Sequence, residues 1–141
     1  MKREKEGIEA ILAKLAKSKF RNRIHLNAKE RAYLKDKGTK AVLEHGAQLI
    51  ERRLAPAAPP RDGRQTPWHG HPVFVAQHAT ASCCRGCLAK WHGIPKGHAL
   101  TEKEKRQVLE TIARWLALEE PTARVEGAGN EWVDGCLFDG R

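Results

Sequence analysis

A chain of 141 residues that is 40% hydrophobic and 30% charged fits one ordinary domain and leaves little room for a two-domain enzyme. Its 26 lysines and arginines outweigh 17 aspartates and glutamates, and the resulting net charge of +9 makes a polyanionic partner electrostatically easy to hold. No stretch reaches the ~18 apolar residues of a membrane span, and Lys14, Lys17 and Lys19 interrupt the opening segment before it could serve as a signal peptide. The expectation is a cytoplasmic protein, in which thiols stay reduced and clustered cysteines point to metal or redox chemistry.

In chain order, Ile8, Ile11, Leu12 and Leu15 fall on one stripe of a first helix. Asn27 and Glu30 have the spacing of a capping box, opening a second helix through Tyr33 and Leu34 that stops at Gly38. Thr39 is then placed to cap a third, which turns Val42, Leu43, Ile50 and Leu54 inward and ends before Pro56. Residues 55–67, APAAPPRDGRQTP, hold four prolines and no apolar period, and read as a linker or irregular loop extending to residue 70. Val73, Phe74 and Val75 are long enough for one small strand, though equally consistent with buried coil. A second capping box, Thr101 and Glu104, opens the clearest stripe in the chain, formed by Val108, Leu109, Ile112, Trp115 and Leu116.

Charge is unevenly spread. Residues 1–54 hold 15 basic and 7 acidic side chains, residues 55–118 hold 9 and 4, and residues 119–141 hold 2 and 6. The last 23 residues therefore read as an acidic tail, disordered by default, in which Trp132, Leu137 and Phe138 could alternatively dock into a groove. The fold expected is mainly α with at most one or two short strands. It is a single small domain of basic helices (1–54), a loop (55–70) and a core with its final helix (71–118).

The chemistry concentrates between His71 and His98, where four histidines and three cysteines stand within 28 positions. Zinc takes thiolate and imidazole in a tetrahedron, and Cys84-x2-Cys87 is the tight spacing that lets two sulfurs reach one ion. His78 and His92 supply the nearest imidazoles, giving a candidate set of His78, Cys84, Cys87 and His92, with zinc ahead of iron. Cys83 and His71 are the alternates, Cys83 because a helical turn here would set it one turn from Cys87.

Several sharper assignments are excluded. A zinc deaminase needs glutamate two positions after its histidine, and Thr80 stands there; covalent haem attachment needs histidine after the second cysteine, and Leu88 stands there. There is no phosphate loop, GxGxxG or HExxH.

The stretch HPVFVAQHATASCCRGCLAKWHGIPKG resembles the core of an uncharacterised bacterial family, a domain of unknown function. RRLAPAAPPRDGRQTP and IHLNAKERAYLKDKG resemble it too, so the likeness spans roughly residues 20–118. It implies a compact bacterial domain with the Cys/His cluster at its centre, and no reaction. His69 and His98 stand where the family pattern has arginine, which sets them behind His71, His78 and His92 as ligands.

Three functions compete on these residues. In the first, zinc staples a nucleic-acid-associated module in which Arg85, Lys90 and Lys96 meet phosphates and Trp91 stacks on a base. In the second, an open zinc site activates water to hydrolyse an ester or phosphodiester, with Gln77, Thr80 and whichever of His71 or His78 is not a ligand orienting the ligands or transferring protons. In the third, Cys84 and Cys87 cycle as a CxxC redox pair with Cys83 or Cys136 as resolving thiol.

Overall fold

The computed structural model describes residues 2–119, and every regular element among them is helical. Helices α1 (Lys2–Ala16), α2 (Lys19–Asn22), α3 (Ala28–Lys37) and α4 (Thr39–Arg53) precede an irregular loop. Then come α5 (Pro72–Ala79), a single turn α6 (Arg85–Cys87), a π-helical segment (Leu88–His92) and α7 (Glu102–Glu119). No helix among the described residues is long and apolar enough to cross a membrane. The expectations for the acidic tail, for docking by Trp132, Leu137 and Phe138, and for Cys136 lie outside the described residues, although Glu119 ends α7.

Both capping boxes form. Asn27 Oδ1 accepts from Glu30 N at 2.8 Å while Glu30 Oε1 accepts from Asn27 N at 2.8 Å, and Thr101 and Glu104 exchange the same pair at 3.1 and 3.0 Å. Thr39, expected as a cap, is instead the first helical residue. Gly38, at φ 88°, serves as both the end of α3 and the start of α4 without any side-chain cap.

The short strand anticipated at residues 73–75 is part of α5. Pro72 stands in its first turn, where a missing N–H costs nothing, and His71 Nδ1 accepts from Val73 N at 3.1 Å to cap it. The alternation that marks a half-buried element is absent because α5 is enclosed all round, between α2, α3, α4 and α7. Val73, Val75 and Ala76 are buried with Val42, Ile50, Val108, Ile112 and Leu116 in one core.

Helices α4 and α5 approach closely at Gly46. A Cβ there would lie 2.9 Å from Cγ2 of Val73 and 3.3 Å from Cγ1, and Val73 is fully buried with nowhere to move. Alanine at an open helix position gains about 1 kcal/mol over glycine, but overpacking a closed contact costs about 1–3 kcal/mol. Gly46→Ala should therefore lower the thermal midpoint. A rise would mean that the two helices separate without cost.

The proline-rich loop is fastened at several points. Ala55 O accepts from Leu100 N at 2.8 Å, Thr66 Oγ1 donates to Cys83 O at 2.8 Å, and Asp62 accepts from the backbone N–H groups of Arg85 and Gly86 at 2.9 and 3.2 Å. It thus braces the turn that carries the cysteines.

Candidate metal centre

The cysteine turn starts where α5 ends. Thr80 Oγ1 donates to Ala76 O at 2.8 Å, Ser82 N donates to Gln77 O at 2.7 Å, and Gln77 Nε2 donates to Ser82 O at 3.0 Å. Between them Ala81, fully buried, adopts φ 58°, a left-handed conformation that costs a non-glycine residue on the order of 1 kcal/mol. That reversal sends Ser82–Cys84 back along α5. Cys84 then caps the single turn α6, its sulfur accepting from Cys87 N at 3.4 Å, while the Asp62 carboxylate holds the turn's other N–H groups. A π-helical segment follows at once, a rare geometry often found at functional sites.

The result is a pocket of three thiols. The sulfurs of Cys83, Cys84 and Cys87 all lie within 4.8 Å of one another, and Cys83 and Cys87 are 3.6 Å apart. Cys83 and Cys84 are buried and Cys87 is half-buried. Arg21, from α2, donates through Nη2 to Cys87 Sγ at 3.6 Å and through Nη1 to His78 O at 2.6 Å. Hydrogen bonding from the Cys83 thiol, then from Cys84 and Arg21, draws the Cys87 pKa down to about 5, against the opposing effect of burial. Donation to that same sulfur pushes Cys83 up, with burial adding to it, and burial pushes Cys84 up. One thiolate is thus held between two thiols and a guanidinium.

A reactivity pattern follows. In metal-free protein carrying Cys136→Ser, iodoacetamide should modify one cysteine at a rate that stays flat from about pH 6 to 8, because Cys87 is already ionised. Cys87→Ser should remove that fast phase. A rate climbing tenfold per pH unit would instead mark an ordinary thiol.

The histidines are placed differently from the expected ligand set. His78 Nε2 donates to Thr66 O at 3.0 Å, its ring stacks on Trp68 at 3.7 Å, and burial pushes its pKa down. His92 Nε2 donates to Thr80 O at 2.8 Å. Neither ring joins the group of three sulfurs, whereas Cys83, an alternate in the sequence reading, does. His71, the other alternate, caps α5 and shares a 3.0 Å hydrogen bond with His45, and burial takes its pKa down to about 4. His92 differs in one respect: its Nδ1 is buried and has no hydrogen-bonding partner. A carbonyl only accepts, so Nε2 carries the proton, and burial keeps the ring neutral. Nδ1 then presents a bare lone pair, the state a metal ligand requires.

Arg85 corrects the sequence reading most sharply. Expected to face phosphate, it is 1% exposed, and its guanidinium donates to five carbonyls. Nη1 reaches Leu54 O, Ala55 O and Pro56 O at 3.4, 3.4 and 2.8 Å; Nη2 reaches Pro95 O and His98 O at 3.1 and 2.9 Å. Lys90 and Lys96 are exposed. Trp91 is half-buried against Ile11, Leu15 and Ala81, with Lys14, Arg21 and Lys90 within 5.6–5.9 Å of its ring centre. Arg21 and Asp62 escaped the sequence reading. Arg21 is 66 residues from Cys87, and nothing in its local pattern marks it.

No solved structure matches the chain. The model of the family described as Domain of unknown function (DUF4186) matches residues 9–117, from the second half of α1 to the last turn of α7 and including the whole cysteine turn, and the chain belongs to that family.

Proposed function

We propose that this domain binds one zinc ion through Cys83, Cys84 and Cys87, with Nδ1 of His92 as the fourth donor, and that the ion staples a nucleic-acid-associated module. The observation that carries the reading is the convergence of three sulfurs within 4.8 Å inside a braced turn. Zinc is preferred over iron because three soft donors and an imidazole make a closed tetrahedral set that needs no redox chemistry. Three thiolates on a divalent ion leave an excess negative charge, and Arg21 stands beside it. His92 follows Cys87 by five residues through the π-helical segment, whose wide turn brings such positions toward one side.

The test is elemental analysis of protein purified without added metal, followed by cobalt substitution. One zinc per chain is expected, lost in Cys84→Ser and in Cys87→Ser. Cobalt spectra should show sulfur charge-transfer bands and tetrahedral ligand-field bands, and His92→Ala should shift the latter. Protein free of metal, or unable to take up cobalt, would reject the site.

The 3.6 Å separation of Cys83 and Cys87 favours one second reading, a thiol-redox pair made of these two residues rather than of Cys84 and Cys87. Labelling before and after chelation separates the two, since a metal shields thiols until it is removed whereas a disulfide yields to reductant. Hydrolysis gains no such support: Gln77 and Thr80 are buried and already engaged in fixing the turn.

Nucleic-acid association rests on the net charge of +9 and on exposed lysines, now without Arg85. Binding that falls steeply with added salt supports it, and salt-insensitive or absent binding rejects it.

A further inference from the structure

Two large aromatic side chains stand in solvent beside the thiol pocket: Phe20 is 54% exposed and Trp68 is 50% exposed. They touch edge to face, with ring centres 6.0 Å apart at 82°. Trp68 is not loose, because one face lies on the buried His78 ring at 3.7 Å and 9°, and His78 is in turn tied to Thr66 O. The indole is therefore backed by the core and half exposed to solvent. Arg21 connects this pair to the basic rim, lying 5.2 Å from the centre of the Phe20 ring and 5.8 Å from that of Trp91. Lys14 and Lys90 stand at 5.6 and 5.9 Å from Trp91. Arg21 itself is engaged with His78 O and Cys87 Sγ, which leaves Lys14 and Lys90 as the cations free to meet phosphate.

We infer that Phe20 and Trp68 form a stacking platform for the unpaired bases of single-stranded nucleic acid, whose phosphates run toward Lys14 and Lys90. This rests on the nucleic-acid reading above and narrows it. Exposed rings with a basic border complement a polyanion that also offers flat apolar faces. A duplex offers only its phosphates, since its base faces are already stacked inside. The platform also replaces Trp91, which the sequence suggested and the fold half-buries beneath its own cations.

The experiment is fluorescence anisotropy of the full chain with a labelled 20-mer of thymidylate, the matching 20-mer of uridylate, and a DNA duplex of equal length, at several salt concentrations. Either single strand should bind at least tenfold tighter than the duplex. Phe20→Ala and Trp68→Ala should each weaken single-strand binding by about 5- to 150-fold and leave duplex binding unchanged. Phe20 is exposed on a four-residue helix, so Phe20→Ala should keep the wild-type thermal midpoint and serves if Trp68→Ala loosens His78. The double variant Lys14→Gln, Lys90→Gln should lower the salt slope by about 1.4. Duplex binding as tight as single-strand binding, or single-strand binding untouched by both aromatic variants, overturns the platform while sparing the polyanion reading. Absence of salt-sensitive binding to all three probes overturns both.

Discussion

Arg85→Met is expected to cost this domain about 4 kcal/mol, enough to leave it marginally folded or unfolded, since domains of this size have only about 5–15 kcal/mol in hand. The side chain is 1% exposed and is the hub of two separate stretches of backbone. Leu54 is the residue that ends α4, and its carbonyl, with those of Ala55 and Pro56, forms the negative end of that helix and its continuation. Pro95 and His98 belong to the loop that leads into α7. A hydrogen bond to a charged group contributes about 1.5–3 kcal/mol, and a buried carbonyl left without a donor costs about 1–3 kcal/mol. Five bonds do not add independently, but losing all of them exceeds any gain from the apolar replacement. Arg85→Lys should recover only part of the loss, because one ammonium cannot fork to both groups of carbonyls. Urea unfolding followed by circular dichroism measures it. A loss under about 1 kcal/mol would mean that water satisfies these carbonyls and that Arg85 is not the hub.

That residue also shows where sequence reading stops. A lone arginine inside CCRGC looks like a surface charge, because burial of a charge depends on carbonyls that converge from residues 54–56 and 95–98, and no local pattern encodes that convergence. Helices α3 and α7 were legible because their capping boxes are local, and α1, α4 and α7 because one face of each is apolar. Helix α5 was not, since enclosure on every side removes the period that tells helix from strand. The cysteine cluster was legible from density alone, yet its membership was not. Which sulfurs meet depends on the left-handed turn at Ala81, and an alanine gives no warning of it. The roles of the histidines were not legible either, because an imidazole serves a backbone carbonyl as readily as a metal: His78 and His92 each give Nε2 to a carbonyl, and His92 alone keeps a buried Nδ1 without a partner.

The affinity for zinc should rise about 100-fold per pH unit between about pH 6 and 8, a slope of two rather than three. Zinc binds thiolate and not thiol, so every sulfur that enters protonated must release a proton to the solvent. Cys83 and Cys84 enter as thiols, their pKa values raised by donation to Cys87 and by burial. Cys87 enters already ionised, with a pKa of about 5, and releases nothing in this range. His92 is held neutral by burial, so its Nδ1 contributes no proton either. Two protons therefore leave for each ion bound. The sign follows: raising pH favours the metal-bound form, and lowering it toward 5 drives the ion off. Competition against a chromophoric chelator at several pH values, corrected for the chelator's own titration, gives the slope directly. Arg21→Met should raise it only slightly above two, because the Cys87 thiolate loses its guanidinium but keeps the hydrogen bonds from Cys83 and Cys84 that do most to hold it ionised. A wild-type slope of three would show that Cys87 is an ordinary thiol, and a slope of one or less would show that the ion is held by fewer than three of these sulfurs.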